Sequence, residues 1–308
     1  MSAPAVTIAR HKPKKRRARR DWRGWIFVGP FMFFFILVFI APLIYAIFLS
    51  LYQPQMVWGM SQGEKFVGLE NYIALFHDPN FWSGVRGVAL FLLIQVPIML
   101  GISLFLALAL DSGRLWGTKF FRISVFLPYA IPSVVATLMW GFLYGTRYGV
   151  IGSVNRTFGW SIDFFSADLI WIGIGNIVTW GYIGYNMLIL YSTLKTIPHT
   201  LYEAAIIDGA NEFDIVRAIK LPTLRRSLMI AVVFSIIGTF QLFNEPNVMQ
   251  QMANNVITSH FTPNFYAFHL AFEAHSPNYS AALAIVMGVI TVAVAYVVQL
   301  WGARGEKK

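Results

Sequence analysis

The 308-residue sequence contains no cysteine, and only 12% of its residues are charged. The absence of cysteine excludes disulfides, zinc–thiolate sites and cysteine nucleophiles, and it leaves the redox compartment unreadable. The charged fraction is about half that of soluble domains, while 57% of the residues are hydrophobic and the mean hydropathy is +0.60. Length alone would suggest two soluble domains, but this composition predicts an integral membrane protein.

Several sequence patterns that carry chemistry are also missing. There is no G-x-x-x-x-G-K-[ST] phosphate-binding loop, no other glycine-rich phosphate loop and no Ser–His–Asp arrangement. His269, Glu273 and His275 lie close together in the sequence, but they lack the second helix-borne histidine of a zinc site. We interpret them as a structural part of an outer loop. The sequence therefore predicts no catalytic residue, no bound metal and no cofactor of its own, and a protein that is not an enzyme.

Six stretches are apolar over enough residues to cross a bilayer, whose hydrocarbon core of about 30 Å requires about 20 residues of helix. These predicted spans are Trp25–Leu51, Val85–Leu110, Ile123–Tyr144, Leu169–Leu194, Ser227–Met249 and Tyr279–Trp301. The first apolar run is about twice as long as that of a signal peptide, and no small-x-small cleavage site follows it. We therefore predict an all-α polytopic membrane protein with six transmembrane helices, in which residues 25–303 form the membrane domain between a basic tail (1–24) and a short tail (304–308).

The distribution of lysine and arginine predicts the orientation of these spans. With the N-terminus inside, the inner segments carry 20 of the 24 basic residues, nine of them between Arg10 and Arg23. The 14 acidic residues divide equally between the two sides, so the bias lies in cations alone, as the positive-inside rule requires. Both termini are thus predicted to be cytoplasmic, with the basic tail on anionic headgroups. A nucleic-acid-binding tail would explain none of the other loops.

The cytoplasmic segment between spans four and five predicts two short helices joined at a rigid corner. Thr200 and Glu203 have the spacing of a capping box, so a helix should begin at Thr200. Gly209 suits the end of that helix, and Asn211 suits the N-cap of the next one. Pro222 should end the second helix at the preceding residue. The segment contains more apolar residues than a free loop needs, which indicates that it docks on a partner.

The spacing of residues in this segment is specific. It reads Glu203-Ala204-Ala205, three residues, Gly209, nine residues, Ile219, one residue, and Leu221-Pro222. This resembles the EAA loop of bacterial ABC-importer permeases throughout. The longer run Tyr-Glu-Ala-Ala-x-x-Asp-Gly-Ala, which includes Asp208, is similar to the carbohydrate-importing branch with the maltose and glycerol-phosphate permeases. The loop lies about 100 residues before the C-terminus, as in that family, and the resemblance covers essentially the whole chain.

The resemblance implies a fold, a function and a set of partners. The fold would be the ABC-importer (MetI-like) permease fold, with a cytoplasmic EAA coupling helix within residues 198–224 that enters a cleft of a separate ATPase. Glu203 would contact that ATPase and Gly209 would permit the corner. The coupling residues would be Glu203, Ala204, Ala205, Asp208, Gly209, Ile219, Leu221 and Pro222. The partners would be a second homologous permease, two ATP-binding subunits that hold ATP and Mg²⁺, and an extracytoplasmic sugar-binding protein, all at the bacterial inner (plasma) membrane.

Polar residues within the spans mark a possible substrate path. Gln241, Asn244 and Glu245 are spaced to share one helix face, and Glu245 is the one acid inside a span. Polar stripes follow span four (Asn176, Thr179, Tyr182, Asn186) and span three (Tyr129, Ser133, Thr137, Trp140, Tyr144). Amides, hydroxyls and aromatic rings suit a neutral, hydroxyl-rich solute such as a carbohydrate, so we predict a path lined by Gln241, Asn244, Glu245, Asn186, Tyr182 and Trp140. The alternative is that these residues hold helices together.

The segment after span five departs from the family pattern. The related permeases often continue there as Phe-Asp-x-x-Tyr followed by Gly-Gly-x-Pro, whereas this chain has Phe243-Asn244-Glu245-Pro246 and lacks the glycine pair.

Two other interpretations of the whole chain remain open at this stage. A secondary transporter for a small polar solute would fit the hydropathy, but it usually shows internal inverted repeats. A membrane-embedded enzyme would need more than one acidic residue in the spans. The outer loop Gln250–Asn278, which has no lysine or arginine, suits a landing surface for a delivery protein or a purely structural connection.

Overall fold

The computed structural model describes residues 23–57 and 60–304. It divides into two compact units, residues 1–45 and residues 46–308. In the first unit, helix α1 (Arg23–Phe35) is followed by a π-helical turn, Ile36–Ile40, and by the start of α2 (Ala41–Ser50). The basic tail up to residue 22, which we predict to bind headgroups, lies outside the described residues.

The second unit is mainly helical. It contains a two-stranded antiparallel hairpin of β1 (Tyr52–Val57) and β2 (Met60–Phe66), with a bulge between Pro54 and Met56. Its helices are α3 (Glu70–Phe76), α4 (Pro79–Asp111), α5 (Thr118–Phe126), α6 (Ser133–Tyr144), α7 (Val150–Phe158), α8 (Ile170–Leu194), α9 (His199–Ile207), α10 (Glu212–Ile215), α11 (Leu221–Phe240), α12 (Asn244–Gln250), α13 (Pro263–Phe272) and α14 (Pro277–Arg304). The helical class is confirmed, and the small hairpin is a departure from a strictly all-α fold.

Fewer than six spans are evident from helix length and composition. Among the described residues, four stretches are long and apolar enough to cross a membrane, namely Trp25–Ser50, Pro79–Asp111, Glu212–Gln250 and Pro277–Gly302. A fifth results if Thr118–Ala130 and Ser133–Tyr144 count as one bent span. The remaining predicted span corresponds to α8, a helix of 25 residues that carries several glycine, amide and hydroxyl residues. Six membrane crossings therefore stay a prediction.

The predicted third span is sharply bent rather than straight. The helical segments Thr118–Ala130 and Ser133–Tyr144 meet at an angle of 99°. Ile131 has φ −84° and ψ 127°, the extended conformation that a following proline imposes on the residue before it. Pro132 is extended as well, with φ −54° and ψ 134°, so the helix cannot continue and starts again one residue later. Pro128 and Pro132 in the sequence predict a distortion of this span, but not its size.

The prediction that Pro222 ends a helix is wrong. The backbone is helical from α10 through a π-helical turn, Val216–Lys220, directly into α11, and Pro222 lies in the first turn of α11. Proline has no backbone N–H and its ring clashes with the carbonyl four residues earlier in a regular α-helix. The wider π-helical turn immediately before it changes that backbone spacing, so the chain stays helical.

Close helix packing positions the interior of the second unit. Helices α4 and α8 lie side by side, and the Ser103 hydroxyl of α4 donates a hydrogen bond of 3.0 Å to the carbonyl of Ile183 in α8. On another side of α8, a β-carbon added at Gly184 would lie 2.1 Å from the carbonyl oxygen of Val125 in α5. Small residues at helix contacts allow such backbone-to-backbone approach in membrane proteins. These contacts fix α8 between α4 and α5.

Candidate functional site

A cavity of about 430 Å³ lies among α4, α8, the end of α11 and the start of α12. Its polar lining includes Gln95, Tyr129, Ser133, Tyr182, Tyr185, Asn186, Ser235, Thr239, Gln241, Asn244 and Glu245. Five of the six residues that the sequence predicts for a substrate path therefore line one cavity. A volume of this size falls within the range of small-molecule sites, and the lining offers hydrogen-bond donors, acceptors and aromatic rings.

The cavity lies where the predicted fifth span breaks. Helix α11 ends at Phe240 and α12 begins at Asn244, so Gln241 and Glu245 do not share a face of one continuous helix as the spacing predicts. They reach the cavity because the chain turns between the two helices. The Asn244 side-chain amide donates a 2.8 Å hydrogen bond to the Ser133 hydroxyl, which joins the start of α12 to the start of α6. The Glu245 side chain is buried in this wall, with 8% of the residue exposed.

The polar stripe of α8 divides between two roles. The Asn176 amide donates a 2.8 Å hydrogen bond to the Tyr144 hydroxyl, and the Thr179 hydroxyl accepts a 3.3 Å hydrogen bond from Gln95 of α4. These two residues hold helices together, as the alternative interpretation states. Tyr182 and Asn186, further along the helix, line the cavity.

Trp140 does not lie where the sequence predicts. It packs into an apolar cluster, with its ring 5.8 Å from that of Trp180 and 5.6 Å from that of Tyr144. The bend before α6 is the reason: Ser133, at the start of the helix, lines the cavity, while residues two turns later point into the core. Tyr144 is buried there as well and donates to the carbonyl of Gly173.

Four of the polar cavity residues were missed from the sequence, namely Gln95, Tyr185, Ser235 and Thr239. The Tyr185 ring stacks on that of Tyr129 at 4.7 Å and 16°, so tyrosines from α8 and from the bend before α6 form an aromatic wall. Gln95 is a buried amide in the middle of α4. A single amide within a long apolar helix is a usable signal, because polar groups at membrane depth face protein or cavity.

Helix α9, the first helix of the coupling loop, begins one residue before Thr200, where the sequence predicts its start. Helix α9 starts at His199, and Pro198 is its N-cap, with an extended backbone and no side-chain cap hydrogen bond. The predicted Thr200–Glu203 capping box is therefore wrong. Proline at the cap presets the extended conformation that a helix needs before its first turn, which places Thr200 inside the helix. Glu203 lies exposed in the middle of α9.

The corner after α9 confirms the prediction for Gly209. Its φ is +82°, in the left-handed region that favours glycine. The N–H of Ala210 donates to the carbonyl of Ala205 at 2.9 Å, and that of Gly209 donates to Ile206 at 3.0 Å. This pair of hydrogen bonds is the Schellman motif, which satisfies the last carbonyls of the helix.

Asn211 caps α10 as predicted. Its side chain accepts a 3.1 Å hydrogen bond from the Asp214 N–H, and the Asp214 carboxylate accepts a 3.1 Å hydrogen bond from the Asn211 N–H. This capping box satisfies two of the unpaired backbone N–H groups at the helix start. Together with the Schellman motif on its other side, it holds the corner in one conformation.

Exposed apolar side chains surround this corner. Leu201, Ile206, Ile207 and Phe213 are 49%, 62%, 84% and 69% exposed, and we call them the apolar coupling face. Of the predicted coupling residues, Glu203, Ala204, Asp208, Gly209, Leu221 and Pro222 are exposed, while Ala205 and Ile219 are half-buried. Ile219 packs inward against the cluster that joins α4, α8 and α11. Contiguous exposed apolar groups mark an interaction surface.

A buried carboxylate forms two ion pairs beneath the coupling loop. Asp111, the last residue of α4, accepts from Lys195 at 2.9 Å and from Lys220 at 3.0 Å, one lysine on each carboxylate oxygen. The hydrogen bond to Asp111 raises the pKa of Lys195, so this lysine stays protonated. The Lys220 ammonium also lies 3.8 Å from Glu212 and 5.4 Å from the centre of the Tyr202 ring. The end of α4 is thereby tied to α8 and to the coupling loop.

One histidine of the outer segment lies against a neighbouring carboxylate. His269 Nδ1 lies 2.6 Å from a carboxylate oxygen of Glu273, one helical turn later. His275 contacts the backbone carbonyl of Glu273. Within residues 23–57 and 60–304, no three potential ligands converge on one point.

The sequence and the fold both have relatives among known proteins. The lactose transport system permease protein LacF of Rhizobium radiobacter is 32% identical over 299 residues, which cover 93% of this chain and 96% of that protein. A chain of a bacterial ABC transporter involved in the import of the acidic polysaccharide alginate matches with a TM-score of 0.79 at 16% identity, covering 92% of this chain and 96% of that one. A bacterial alginate ABC transporter in complex with an alginate pentasaccharide-bound periplasmic protein matches with a TM-score of 0.74 at 17% identity, over 92% and 93% of the chains. These two structures share the fold.

The family match covers the coupling loop and all of the cavity lining except Phe91 and Gln95. The family model described as the binding-protein-dependent transport system inner membrane component matches residues 98–305. That region includes every helix from α5 to α14. This chain therefore belongs to the family of binding-protein-dependent transport system inner membrane components.

Proposed function

We propose that this chain is a permease subunit of an ATP-driven importer, that it forms half of a translocation path for a carbohydrate, and that it couples to a separate ATPase through the EAA loop. The observation that carries the proposal is the coupling loop itself. A short helix ends in a corner fixed by a Schellman motif and a capping box, and the apolar coupling face around it is exposed. A rigid, apolar and exposed corner suits insertion into a partner protein.

The carbohydrate assignment combines the cavity with the family relatives. LacF is named for lactose, and both structural relatives handle alginate. The cavity offers amide and hydroxyl groups beside a wall of stacked tyrosine rings. Sugar hydroxyls exchange hydrogen bonds with such groups, and aromatic rings cover the apolar faces of the sugar ring. A sugar oligomer or derivative therefore fits this lining better than a strongly apolar solute does.

The remaining subunits follow from the same proposal. One structural relative is in complex with a periplasmic protein that carries the saccharide, which supports an extracytoplasmic sugar-binding protein as a partner here. A second homologous permease would complete the path, and two ATP-binding subunits would hold ATP and Mg²⁺. We propose six membrane crossings in residues 25–303, with both termini and the coupling loop, residues 198–224, on the cytoplasmic side. The end of the C-terminal tail, from residue 305, lies outside the described residues.

The proposal is tested by Gly209→Val in the assembled complex. A branched side chain at φ +82° strains the backbone by about 1–3 kcal/mol, while an added β-carbon meets no atom within 4 Å. The membrane helices should therefore fold normally, and saccharide uptake should fall about tenfold or more because the corner no longer fits the ATPase. The measurements are uptake into vesicles and the amount of ATPase that co-purifies with each permease.

A matched control is Gly159→Val. This glycine has φ +70° and also has open space around it, but it ends α7, which the topology predicts to be outside. It should keep both uptake and ATPase stoichiometry. Normal uptake and normal ATPase stoichiometry in Gly209→Val would show that the EAA loop only connects two spans. A wild-type permease that never co-purifies with an ATPase would contradict the proposal that this chain is an importer subunit.

A separate prediction concerns the acid in the cavity wall. Glu245→Gln keeps the size of the side chain and removes its charge. Hydrogen bonds to charged groups contribute about 1.5–3 kcal/mol, so uptake should fall on the order of tenfold if Glu245 contacts the saccharide. Complex assembly should be unchanged, because the substitution preserves the shape of the side chain.

Glu273→Gln is the control for this substitution, since that acid is exposed and pairs with His269 in the outer segment. It should leave the uptake rate unchanged. A wild-type rate in Glu245→Gln would remove this residue from the path. Loss of assembly would instead favour a role in helix packing.

A further inference from the structure

We propose that Asp111 is the positioning residue that transmits movement of the coupling loop to the cavity walls. The inference rests on the proposed function and concerns how the loop acts on the path. Asp111 ends α4, and its side chain is 5% exposed. Its two carboxylate oxygens are held by Lys195, just after α8, and by Lys220, just before α11. Three separate parts of the chain therefore meet on one carboxylate.

The burial of this cluster makes its geometry definite. The side chain of Lys220 is 5% exposed, like that of Asp111. Attraction between charges is much stronger away from water, and water cannot readily replace either partner there. An exposed pair would exchange with solvent and would transmit little. The buried Asp111 carboxylate therefore moves together with the buried Lys220, while Lys195, whose side chain is 49% exposed, adds a second, less shielded contact to the same carboxylate.

One side of the cluster belongs to the coupling loop. Lys220 is the last residue of the π-helical turn that follows α10, and its ammonium lies 3.8 Å from Glu212 at the start of α10. The same ammonium lies over the ring of Tyr202 in α9, at 5.4 Å from its centre. Both short helices of the loop thus contact Lys220, the lysine that forms the buried ion pair with Asp111. A displacement of the loop would act directly on this ion pair.

The other side belongs to the cavity. Helix α4 supplies Phe91, Gln95 and Met99 to the lining, and α8 supplies Tyr182, Tyr185 and Asn186. Asp111 and Lys195 lie at the ends of these same two helices. A helix that shifts as a unit carries its side chains with it, so a displacement at Asp111 would move the cavity residues of α4. The loop and the cavity are therefore joined through α4 and α8 as well as through α11.

Removal of the ion pairs should leave the helices packed. An apolar cluster that includes Leu110, Leu194 and Leu224 holds the same three helices together beside the ion pairs. This separates transmission from folding: the apolar cluster keeps α4, α8 and α11 in contact, while the carboxylate fixes their relative position. The distinguishing quantity is then the ratio of saccharide transported to ATP hydrolysed.

The test uses the complete importer in proteoliposomes, with its binding protein and saccharide. We expect Asp111→Asn to retain its ATPase subunits and to hydrolyse ATP, while the saccharide-to-ATP ratio falls at least tenfold. Lys220→Met should give the same ratio, and Lys220→Arg, which keeps the charge, should recover most of it. The control is Arg114→Gln, because the Arg114–Glu212 pair at 3.1 Å is largely exposed and such pairs contribute little.

A double variant distinguishes a loss of transmission from a loss of folding. Asp111→Asn combined with Lys220→Met removes both buried charges at once, so neither is left without its partner. A folded double variant with a wild-type ratio would overturn the proposal. So would loss of the ATPase from Asp111→Asn, because the role would then be docking. Failure of the proposed function is distinct, since the wild-type complex itself would then fail to transport saccharide or to bind an ATPase.

Discussion

Replacing Gly184 with valine is expected to abolish accumulation of the folded permease. The β-carbon would lie 2.1 Å from the carbonyl oxygen of Val125 and 2.6 Å from the Cα of Phe126. Both are backbone atoms of α5, so no side chain can rotate away to make room. Overpacking of interiors costs about 1–3 kcal/mol where side chains can adjust and more where they cannot. Helix α5 would have to leave α8, and the aromatic wall of the cavity would separate with it.

The measurement is the yield and the thermal unfolding of the detergent-solubilised complex. Gly181→Ala is the control, because it lies one turn earlier on the same helix and an added β-carbon there meets no atom within 4 Å. Alanine is also the better helix former by about 1 kcal/mol, so this variant should be at least as stable as the wild type. A Gly184→Val permease that unfolds at the wild-type temperature would show that α5 and α8 do not approach each other this closely.

The second large effect is expected at the apolar coupling face. Ile207→Asp combined with Phe213→Asp places two charges where 84% and 69% of the original side chains are exposed. If the face docks in a cleft of the ATPase, each charge would be buried without a partner. Loss of interface anchors costs about 2 kcal/mol or more, so ATPase binding should weaken by well over tenfold. The folding of the permease should not change, because neither side chain is part of its core.

Phe158→Asp is the matched control, since this residue is 65% exposed and belongs to α7, away from the coupling loop. ATPase co-purification should be lost in the double variant and retained in the control. Retention in both would mean that the face is not the docking surface. Loss in both would point to general destabilisation rather than docking.

The features that were predictable from the sequence are those set by local chemistry. Gly209 and Asn211 act on backbone groups within five positions of themselves, so a local rule suffices for the corner. The cavity is lined by Tyr182, Asn186 and the acid Glu245, because polar groups in apolar helices must face protein or cavity. That they contact a substrate stays a prediction.

The features that were not predictable depend on partners far away in the chain. The break after α11 frees the carbonyls of Gln241 and Leu242, and these accept hydrogen bonds from Asn264 and Thr262 of the outer segment. No pattern near Gln241 reveals those donors. Likewise, the ion pair between Asp111 and Lys220 joins the end of one helix to the start of another. Local rules also misjudged Pro222, because they do not include the π-helical turn that accommodates it.

The two interrupted helices also determine how a solute crosses this part of the membrane. The bend before α6 and the break after α11 meet at the hydrogen bond between Asn244 and Ser133, on the wall of the same cavity. Irregular backbone at membrane depth is tolerated only where protein or water satisfies it. Under the proposed function, a sugar that enters this cavity would exchange its hydration shell for another set of polar partners without meeting hydrocarbon. The barrier to its passage would then be set by when each side of the cavity opens, rather than by dehydration of the sugar.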